Sequence, residues 1–304
     1  MLFRSILAGR ALGPLGSVMS LASRYQQAVS SLETLDGLMK RPRDRVVGRT
    51  YVIPEHVHGG LEAQALEFGY PGEHAIPVIK RLSLKVEPGQ RLALLGRVGS
   101  GKSTLLRLMA GLYTPLAGSV RLDGVEMQQI EPAEVRSCMG YVGQDPQLFM
   151  GTLRENMVLS ETWISDAKII EVLKAMNLYE LVASHPRGLD MPITEAGGGL
   201  SGGQRQLLSI ARMMLRDPQL VFMDEPTANM DGNTEAHVIR VLNEWLKGRT
   251  LMMSTHRPQL LDWADTVAVI EAGQCVLIGP KQEMIDKLSR GVDVKTAAPN
   301  GVPA

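Results

Sequence analysis

The chain has 304 residues, of which 44% are hydrophobic and 21% charged, a composition typical of a folded globular protein and unlike that of a disordered one. Its 32 basic and 32 acidic side chains give a formal net charge of zero, which disfavours nucleic acid as a partner because no excess positive charge attracts it. Two cysteines in so long a chain indicate a reducing compartment, and we predict that Cys138 and Cys275 are small buried hydrophobic side chains rather than metal ligands.

The N-terminal segment is apolar, but it has no uncharged run of the roughly 18 residues needed to cross a bilayer. Two arginines interrupt it, and several glycines and Pro14 weaken it as a helix. From Val18 onward apolar residues recur at three- and four-residue spacing, which predicts an amphipathic helix ending near Met39. A basic segment at 40–45 and a polar stretch up to Gly60 follow, and there we predict a solvated linker and a domain boundary.

From Leu61 onward short β-like runs alternate with helical ones, which predicts an α/β domain with a largely parallel core sheet. Residues 91–95 are predicted as a buried strand and 103–110 as the helix after it. Over 152–216 strand signals stop and helical spacing takes over, which predicts an inserted helical subdomain. Further apolar strands are predicted at 220–223 and 250–253.

Residues 96–103 fit the pattern GxxxxGK[ST] between a predicted strand and a predicted helix, which favours a phosphate-binding loop over a flexible turn with an incidental lysine. Glycines let backbone N–H groups surround phosphate oxygens, and the helix N-terminus adds positive potential. We expect Lys102 to bridge the β- and γ-phosphates of ATP, Ser103 to ligate Mg²⁺ and Thr104 to add a phosphate contact. The predicted nucleotide-binding residues of this loop are Gly96, Arg97, Val98, Gly99, Ser100, Gly101, Lys102, Ser103 and Thr104.

The apolar run 220–223 ends in two neighbouring carboxylates, Asp224 and Glu225. The end of a strand beside the phosphate loop is where an α/β sheet presents its ligand chemistry. We predict that Asp224 holds Mg²⁺ through water and that Glu225 is the general base for the attacking water. A solvated acidic turn, the alternative, fits the four preceding apolar residues less well.

The segment Leu200-Ser201-Gly202-Gly203-Gln204 leads into an apolar helical run. A hydroxyl, exposed backbone N–H groups and a helix N-terminus make it a second predicted anion-binding element. Ser201 is also a favoured N-cap residue, and the two roles are compatible. With LSGGQ placed between a phosphate loop and a strand ending in Asp-Glu, the sequence resembles the ABC ATPase superfamily.

This resemblance covers about residues 61–288. It implies an α/β fold with a P-loop NTPase (RecA-like) core, an antiparallel β subdomain and an inserted α-helical subdomain. It also implies an N-terminal helix derived from the last transmembrane segment. The expected organisation is the end of a transmembrane domain at 1–45, a linker at 46–60, the ABC nucleotide-binding domain at 61–290 and a flexible tail at 291–304.

The resemblance also implies roles for four further residues. Tyr70 matches the aromatic residue that stacks on adenine, Gln144 the glutamine that contacts Mg²⁺ and water, and His256 the switch histidine at the γ-phosphate. Asp231 ends a loop that reads Ala-Asn-Met-Asp where the family usually has Ser-Ala-Leu-Asp, and these Asn and Met differences bear on fine intersubunit contacts. Taken singly, Tyr70 could be a half-buried strand aromatic, Gln144 a turn residue and His256 a strand-end histidine.

The resemblance thus implies three sets of site residues. The catalytic residues are Glu225, His256 and Gln144. The metal ligands are Ser103, Gln144 and Asp224. The nucleotide also contacts Ser201, Gly202, Gly203, Gln204 and Asp231, which in the family belong to a second cassette, so a homodimer with two competent sites is implied.

The residues before the cassette favour an exporter over a separate importer subunit, which would begin near the first strand. A single cassette without long coiled-coil insertions disfavours a soluble ABC ATPase of translation or DNA maintenance. Within exporters, Gly96-Arg97-Val98 and the run Gly-Arg-Ala-Leu-Gly-Pro-Leu at 9–15 resemble the bacterial type I secretion permease/ATPases. Exporters of peptides, lipids or drugs stay open as the alternative.

That subfamily implies an ATPase that powers protein export from the bacterial inner membrane, with the cassette on the cytoplasmic face. It implies transmembrane helices before Met1, so that the chain would be a fragment, and it implies a periplasmic adaptor, an outer-membrane channel and a secreted protein substrate as partners.

Overall fold

The computed structural model describes residues 2–41, 44–46, 48–72, 76–159, 161 and 163–289. The chain divides into two compact units, Met1–Arg49 and Thr50–Ala304. The first unit contains helix α1 (Leu2–Met39). It ends where the spacing predicts, but it begins at Leu2 rather than near Val18, because a long helix can continue through a proline that removes only one hydrogen bond.

The predicted apolar face of α1 is exposed within this unit, as at Leu21, Tyr25, Leu32 and Leu38. None of the described helices is both sufficiently long and sufficiently hydrophobic to span a membrane.

The second unit holds the strands and the remaining helices. Its strands are β1 (Leu61–Phe68), β2 (Ile79–Val86), β3 (Arg91–Leu95), β4 (Ala117–Leu122), β5 (Val125–Glu126), β6 (Met139–Val142), β7 (Gly151–Thr152), β8 (Pro192–Ile193), β9 (Leu220–Asp224), β10 (Thr250–Ser254), β11 (Thr266–Glu271) and β12 (Gln274–Pro280). Its helices are α2 (Lys102–Met109), α3 (Pro132–Cys138), α4 (Leu153–Val158), α5 (Asp166–Ala175), α6 (Tyr179–Ala183), α7 (Gly202–Arg216), α8 (Gly232–Trp245), α9 (Pro258–Leu261) and α10 (Lys281–Ser289).

The core of this unit is a six-stranded sheet with the order β12-β11-β3-β10-β9-β6. All its neighbours are parallel except the β11–β12 pair. The strands predicted at β3, β9 and β10 are confirmed, and so is the α/β class with the glycine loop between β3 and α2.

A second, antiparallel sheet has the order β2-β1-β4-β5. Part of the stretch predicted as a linker is fixed beside it. Val52 forms a parallel bridge with Ile130, and the carboxylate of Asp123 accepts hydrogen bonds from the N–H groups of Gly59 and Gly60 at 3.2 and 2.6 Å.

The core lies on both faces of the central sheet because side chains alternate along each strand. In β3, Leu92 and Leu94 pack with α2 and the antiparallel sheet, whereas Ala93 packs with the helical part of the unit. In β9, Phe222 likewise packs on the side of α2 and the antiparallel sheet, and Met223 packs on the side of the helical part. This two-sided burial explains why these strands read as unbroken apolar runs.

The predicted helical subdomain comprises α4 to α7, and Ile169, Leu173 and Met176 are buried at its centre as their spacing indicates. The expectation that strands stop here was wrong in one detail, because β7 and β8 form an antiparallel pair. Two-residue strands have no periodic pattern for a sequence to display.

Cys138 and Cys275 are free thiols that are only half-buried rather than fully buried. Burial nevertheless raises the pKa of each thiol to about 11. Both pack against the core cluster between the two sheets, so they serve as small hydrophobic side chains.

Candidate functional site

The register of the central sheet brings four functional segments to one edge. Leu94 of β3 pairs with Ser254 of β10, which pairs with Asp224 of β9, and Met223 pairs with Val142 of β6. Because these strands are parallel, the segments that follow them emerge side by side. The glycine loop, the His256 turn, Glu225 and Gln144 are therefore neighbours at the carboxyl edge of the sheet.

The glycine loop adopts a backbone that other residues would strain. Gly96, Gly99 and Gly101 have φ angles of 150°, 79° and 104°. A Cβ atom on Gly96 would lie 2.2 Å from the carbonyl oxygen of Ile270. The loop can therefore lie this close to β11 only with glycine at that position.

Lys102 is held inside this loop. Its ammonium donates hydrogen bonds to the carbonyl oxygens of Gly96 at 2.8 Å and Arg97 at 3.0 Å, and the residue is only 7% exposed. Burial lowers the pKa of Lys102, while the nearby carboxylates of Glu225 and Asp224 act in the opposite direction. The cation is thus desolvated and positioned for a strong interaction with an anion.

The loop fits a triphosphate. The Ser100 hydroxyl is buried and has no hydrogen-bond partner among the described residues. Such an unpaired polar group is costly unless a ligand pairs it. Ser103 and Thr104 follow in the first turn of α2, whose N-terminus carries the positive end of the helix dipole.

The predicted Mg²⁺ ligands Ser103, Gln144 and Asp224 line one cleft of about 420 Å³. Asp224 is 2% exposed and accepts a hydrogen bond from the Ser254 hydroxyl, which orients its carboxylate. A hydroxyl, an amide and a carboxylate supply the oxygen ligands that Mg²⁺ prefers, so these residues fit the ion. No group of three or more His, Cys, Asp and Glu side chains forms a metal site within the described part of the chain.

Glu225 follows β9 with a φ of 49°, a left-handed conformation uncommon for a residue with a side chain. Its N–H donates to the carbonyl oxygen of Ser254 at 3.1 Å. Its buried Oε1 atom lies 3.2 Å from Nε2 of His256, yet it accepts no hydrogen bond of acceptable geometry from any described residue. We therefore treat the pair as a close contact, in which Glu225 keeps an acceptor available for a water molecule.

Tyr70 lies just beyond β1 and is 41% exposed. Its hydroxyl shares a hydrogen bond of 2.9 Å with the Thr104 hydroxyl, and its ring makes edge contacts with Phe68 and Tyr113. The predicted adenine platform is thus tied to the helix that follows the phosphate loop.

The LSGGQ segment lies at the start of α7. Ser201 is the N-cap, and its hydroxyl accepts from the N–H of Gln204 at 3.1 Å while the Gln204 side chain accepts from the Ser201 N–H at 2.8 Å. Gly202 and Gly203 lie against Asn229. The Ala228-Asn229-Met230-Asp231 loop and the LSGGQ segment therefore form a second cluster, which adjoins the Glu225 turn through the hydrogen bond from the N–H of Ala228 to the Glu225 carbonyl at 3.2 Å.

Asp231 is the N-cap of α8 and accepts hydrogen bonds from the N–H groups of Asn233 and Thr234, each at 3.0 Å. A further hydrogen bond from the Thr234 hydroxyl is the main reason that the pKa of Asp231 is lowered. The Asp231 carboxylate therefore caps helix α8 within the chain, a role that its match to the family loop does not reveal.

Side chains of α7 and α4 that were not predicted from the sequence hold the Gln144 loop. On α7, the amide of Gln206 donates to the carbonyl oxygen of Gly143 at 3.2 Å, and Arg212 donates to that of Gln147 at 3.2 Å. Asn156 on α4 pairs with both backbone groups of Phe149 at 2.8 Å. A signal was present for Gln206, which is fully buried and interrupts the apolar face of α7.

Comparisons with known proteins identify relatives of this chain. A family model described as "ABC transporter" matches residues 79–228. The chain is 31% identical over 281 residues to an ATP-dependent lipid A-core flippase of Alcanivorax borkumensis, covering 92% of the chain and 48% of the flippase. It is 37% identical over 238 residues to an ABC multidrug transporter of Aspergillus fumigatus, covering 78% of the chain and 18% of the transporter.

Among solved structures, a bacterial Atm1-family ABC exporter with ATP bound superposes with a TM-score of 0.77 at 25% identity. The match covers 91% of the chain and 48% of the exporter chain. The chain thus spans about half or less of the length of each of these proteins.

Proposed function

The chain belongs to the ABC transporter family, and from this premise we propose that it binds and hydrolyses ATP to power export across a membrane. The observation that carries the proposal is the meeting of Lys102, Ser103, Gln144, Glu225 and His256 at adjacent strand ends. These are the residue types that phosphoryl transfer to water requires.

In the proposed reaction, Glu225 accepts a proton from a water molecule whose oxygen attacks the γ-phosphorus of ATP. The bond from that phosphorus to the bridging oxygen breaks, and ADP leaves with the electron pair. Lys102 would offset the phosphate charge, and His256 would donate a hydrogen bond to the γ-phosphate. Ser103 and Gln144 would hold Mg²⁺, with Asp224 acting through water, and the ion would neutralise charge on the phosphates.

The second cluster supports a dimer. Ser201, which is exposed, and the backbone of Gly202 and Gly203 form the N-terminus of α7, a helix distinct from the α2 helix that follows the phosphate loop, and such an N-terminus is suited to bind an anion. We propose that this cluster completes the nucleotide site of a second copy, with Asp231 beside it. ATP then stabilises the dimer because it contacts both copies.

For the transported substrate we propose a protein moved by a type I secretion system, with the ATPase on the cytoplasmic face of a bacterial inner membrane. The support is the Gly96-Arg97-Val98 loop and the run at 9–15. The names of the flippase and the multidrug transporter favour a lipid or a drug as the second candidate.

Two experiments test these proposals. Release of inorganic phosphate from MgATP by the purified chain tests the ATPase, and no release above the buffer rate would contradict it. A chromosomal Glu225→Gln allele tests the substrate, with Glu244→Gln as the control. Loss of particular proteins from the medium supports protein secretion, whereas an unchanged set of secreted proteins with impaired lipid or drug export supports the second candidate.

A further inference from the structure

A buried carboxylate lies behind the catalytic edge without reaching the nucleotide site. Glu235 is in the first turn of α8 and is only 6% exposed. Its neighbours on the same helix face, Val238 and Leu242, belong to the hydrophobic core. An ionised side chain in such a place needs charged or hydrogen-bonding partners to offset its desolvation.

Glu235 has two partners, one on each of two loops. Its Oε1 atom accepts a hydrogen bond of 2.7 Å from the hydroxyl of Thr227, which is 1% exposed. Its Oε2 atom forms an ion pair with the guanidinium of Arg257. Both carboxylate oxygens are therefore used.

The partners flank the two catalytic candidates. Thr227 lies two residues after Glu225, in a turn closed by the hydrogen bond from the N–H of Ala228 to the Glu225 carbonyl at 3.2 Å. Arg257 directly follows His256, and its guanidinium also donates to the Ala228 carbonyl at 3.4 Å.

We propose that Glu235 is a positioning residue that holds Glu225 and His256 in one fixed arrangement through Thr227 and Arg257. The inference rests on the proposed function, because it assigns a role within the same site. It goes beyond that function because Glu235 contacts neither residue directly and belongs to the helix that Asp231 caps. The carboxylate of Glu235 thus joins the N-terminal turn of α8, which Asp231 caps, to the two loops that carry Glu225 and His256.

The test compares Glu235→Gln with Glu244→Gln, which makes the same change on the exposed face of the same helix. Since a small displacement of a catalytic group is costly, we expect Glu235→Gln to lower kcat about 100-fold. The KM for ATP should change by less than about twofold, because the ATP-binding groups of the phosphate loop are untouched. Glu244→Gln should match the wild type.

A second pair of variants distinguishes loss of the positioning contact from misfolding of the protein. Thr227→Val removes the hydroxyl at constant shape and should lower kcat, whereas Thr227→Ser restores the donor and should recover most of it. Hydrogen exchange gives a readout that does not need turnover. Glu235→Gln and Thr227→Val should speed exchange at 225–228 and 255–257, with no change at 96–104.

A wild-type kcat in Glu235→Gln, or equal losses in Thr227→Val and Thr227→Ser, would overturn the inference. So would faster exchange spread evenly over the whole domain. If the wild-type chain fails to hydrolyse ATP, the proposed function fails, while the exchange comparison still decides whether Glu235 fixes these two loops.

Discussion

The Nε2 atom of His256 lies 3.2 Å from the Oε1 atom of Glu225, although 30 residues separate the paired strand positions Asp224 and Ser254 that precede them. The parallel register of β9 and β10 creates this proximity. The proposed general base and the proposed γ-phosphate donor are thus held side by side by the sheet, which reduces the reorganisation that the proposed reaction requires.

Lys102→Ala should weaken MgATP binding about 100-fold or more, because the variant loses a desolvated, charge-assisted contact to phosphate. Isothermal titration calorimetry measures the affinity. Lys85→Ala, which removes an exposed lysine paired with Glu87, is the control for loss of one positive charge. An affinity unaltered in Lys102→Ala would count against the phosphate-binding role.

Tyr70 offers separate tests of its ring and its hydroxyl. Tyr70→Ala should weaken ATP binding about tenfold, since stacking of a base on an aromatic ring contributes about 1–3 kcal/mol. Tyr70→Phe should bind nearly as the wild type, because it loses only the hydrogen bond to Thr104. Inorganic triphosphate, which has no base, should bind all three proteins alike. Equal losses of ATP affinity in both variants would assign the effect to the hydroxyl instead.

Ser201 should have two separable roles. Ser201→Ala should lower the free energy of unfolding by about 1 kcal/mol, the usual cost of removing an N-cap. Ser165→Ala, which removes the N-cap of α5, is the matched control and should have a similar or smaller effect in urea denaturation. In a Glu225→Gln background, only Ser201→Ala should also weaken the ATP-dependent dimer, as measured by analytical ultracentrifugation. Equal dimerisation of both variants would restrict Ser201 to capping.

The two thiols should react slowly with alkylating reagents at neutral pH. Their pKa values of about 11 leave them protonated, and only the thiolate is the nucleophile. The alkylation rate should therefore rise about tenfold per pH unit and level off only near pH 11, whereas the urea-unfolded chain should level off about two units lower. A folded-state plateau near pH 9 would show that burial does not protect the thiols.

The strand ends and the glycine loop could be predicted because each depends on a short run of residues. The apolar run before Asp224 and the glycines before Lys102 specify local backbone that tertiary contacts then preserve. The start of α1 could not be predicted in the same way, because Pro14 weighs against a helix locally but does not end a long one.

The Glu235 contacts could not be predicted for a different reason. Its partners lie 8 and 22 residues away, and only the side-by-side order of β9 and β10 brings their loops together. The sequence did contain a hint, since Glu235 precedes Val238 and Leu242 at core-facing helical spacing. A charged residue on an apolar helix face indicates a buried partner.

We propose that Glu225 is the general base of an ATPase whose nucleotide site is shared by two copies of the chain. The most direct measurement is sedimentation velocity of Glu225→Gln with MgATP, alongside its rate of phosphate release. We predict nearly wild-type ATP affinity, turnover lowered about 100-fold or more as expected for loss of a general base, and accumulation of an ATP-bound dimer. Unchanged hydrolysis, or a monomer at saturating ATP, would contradict the account.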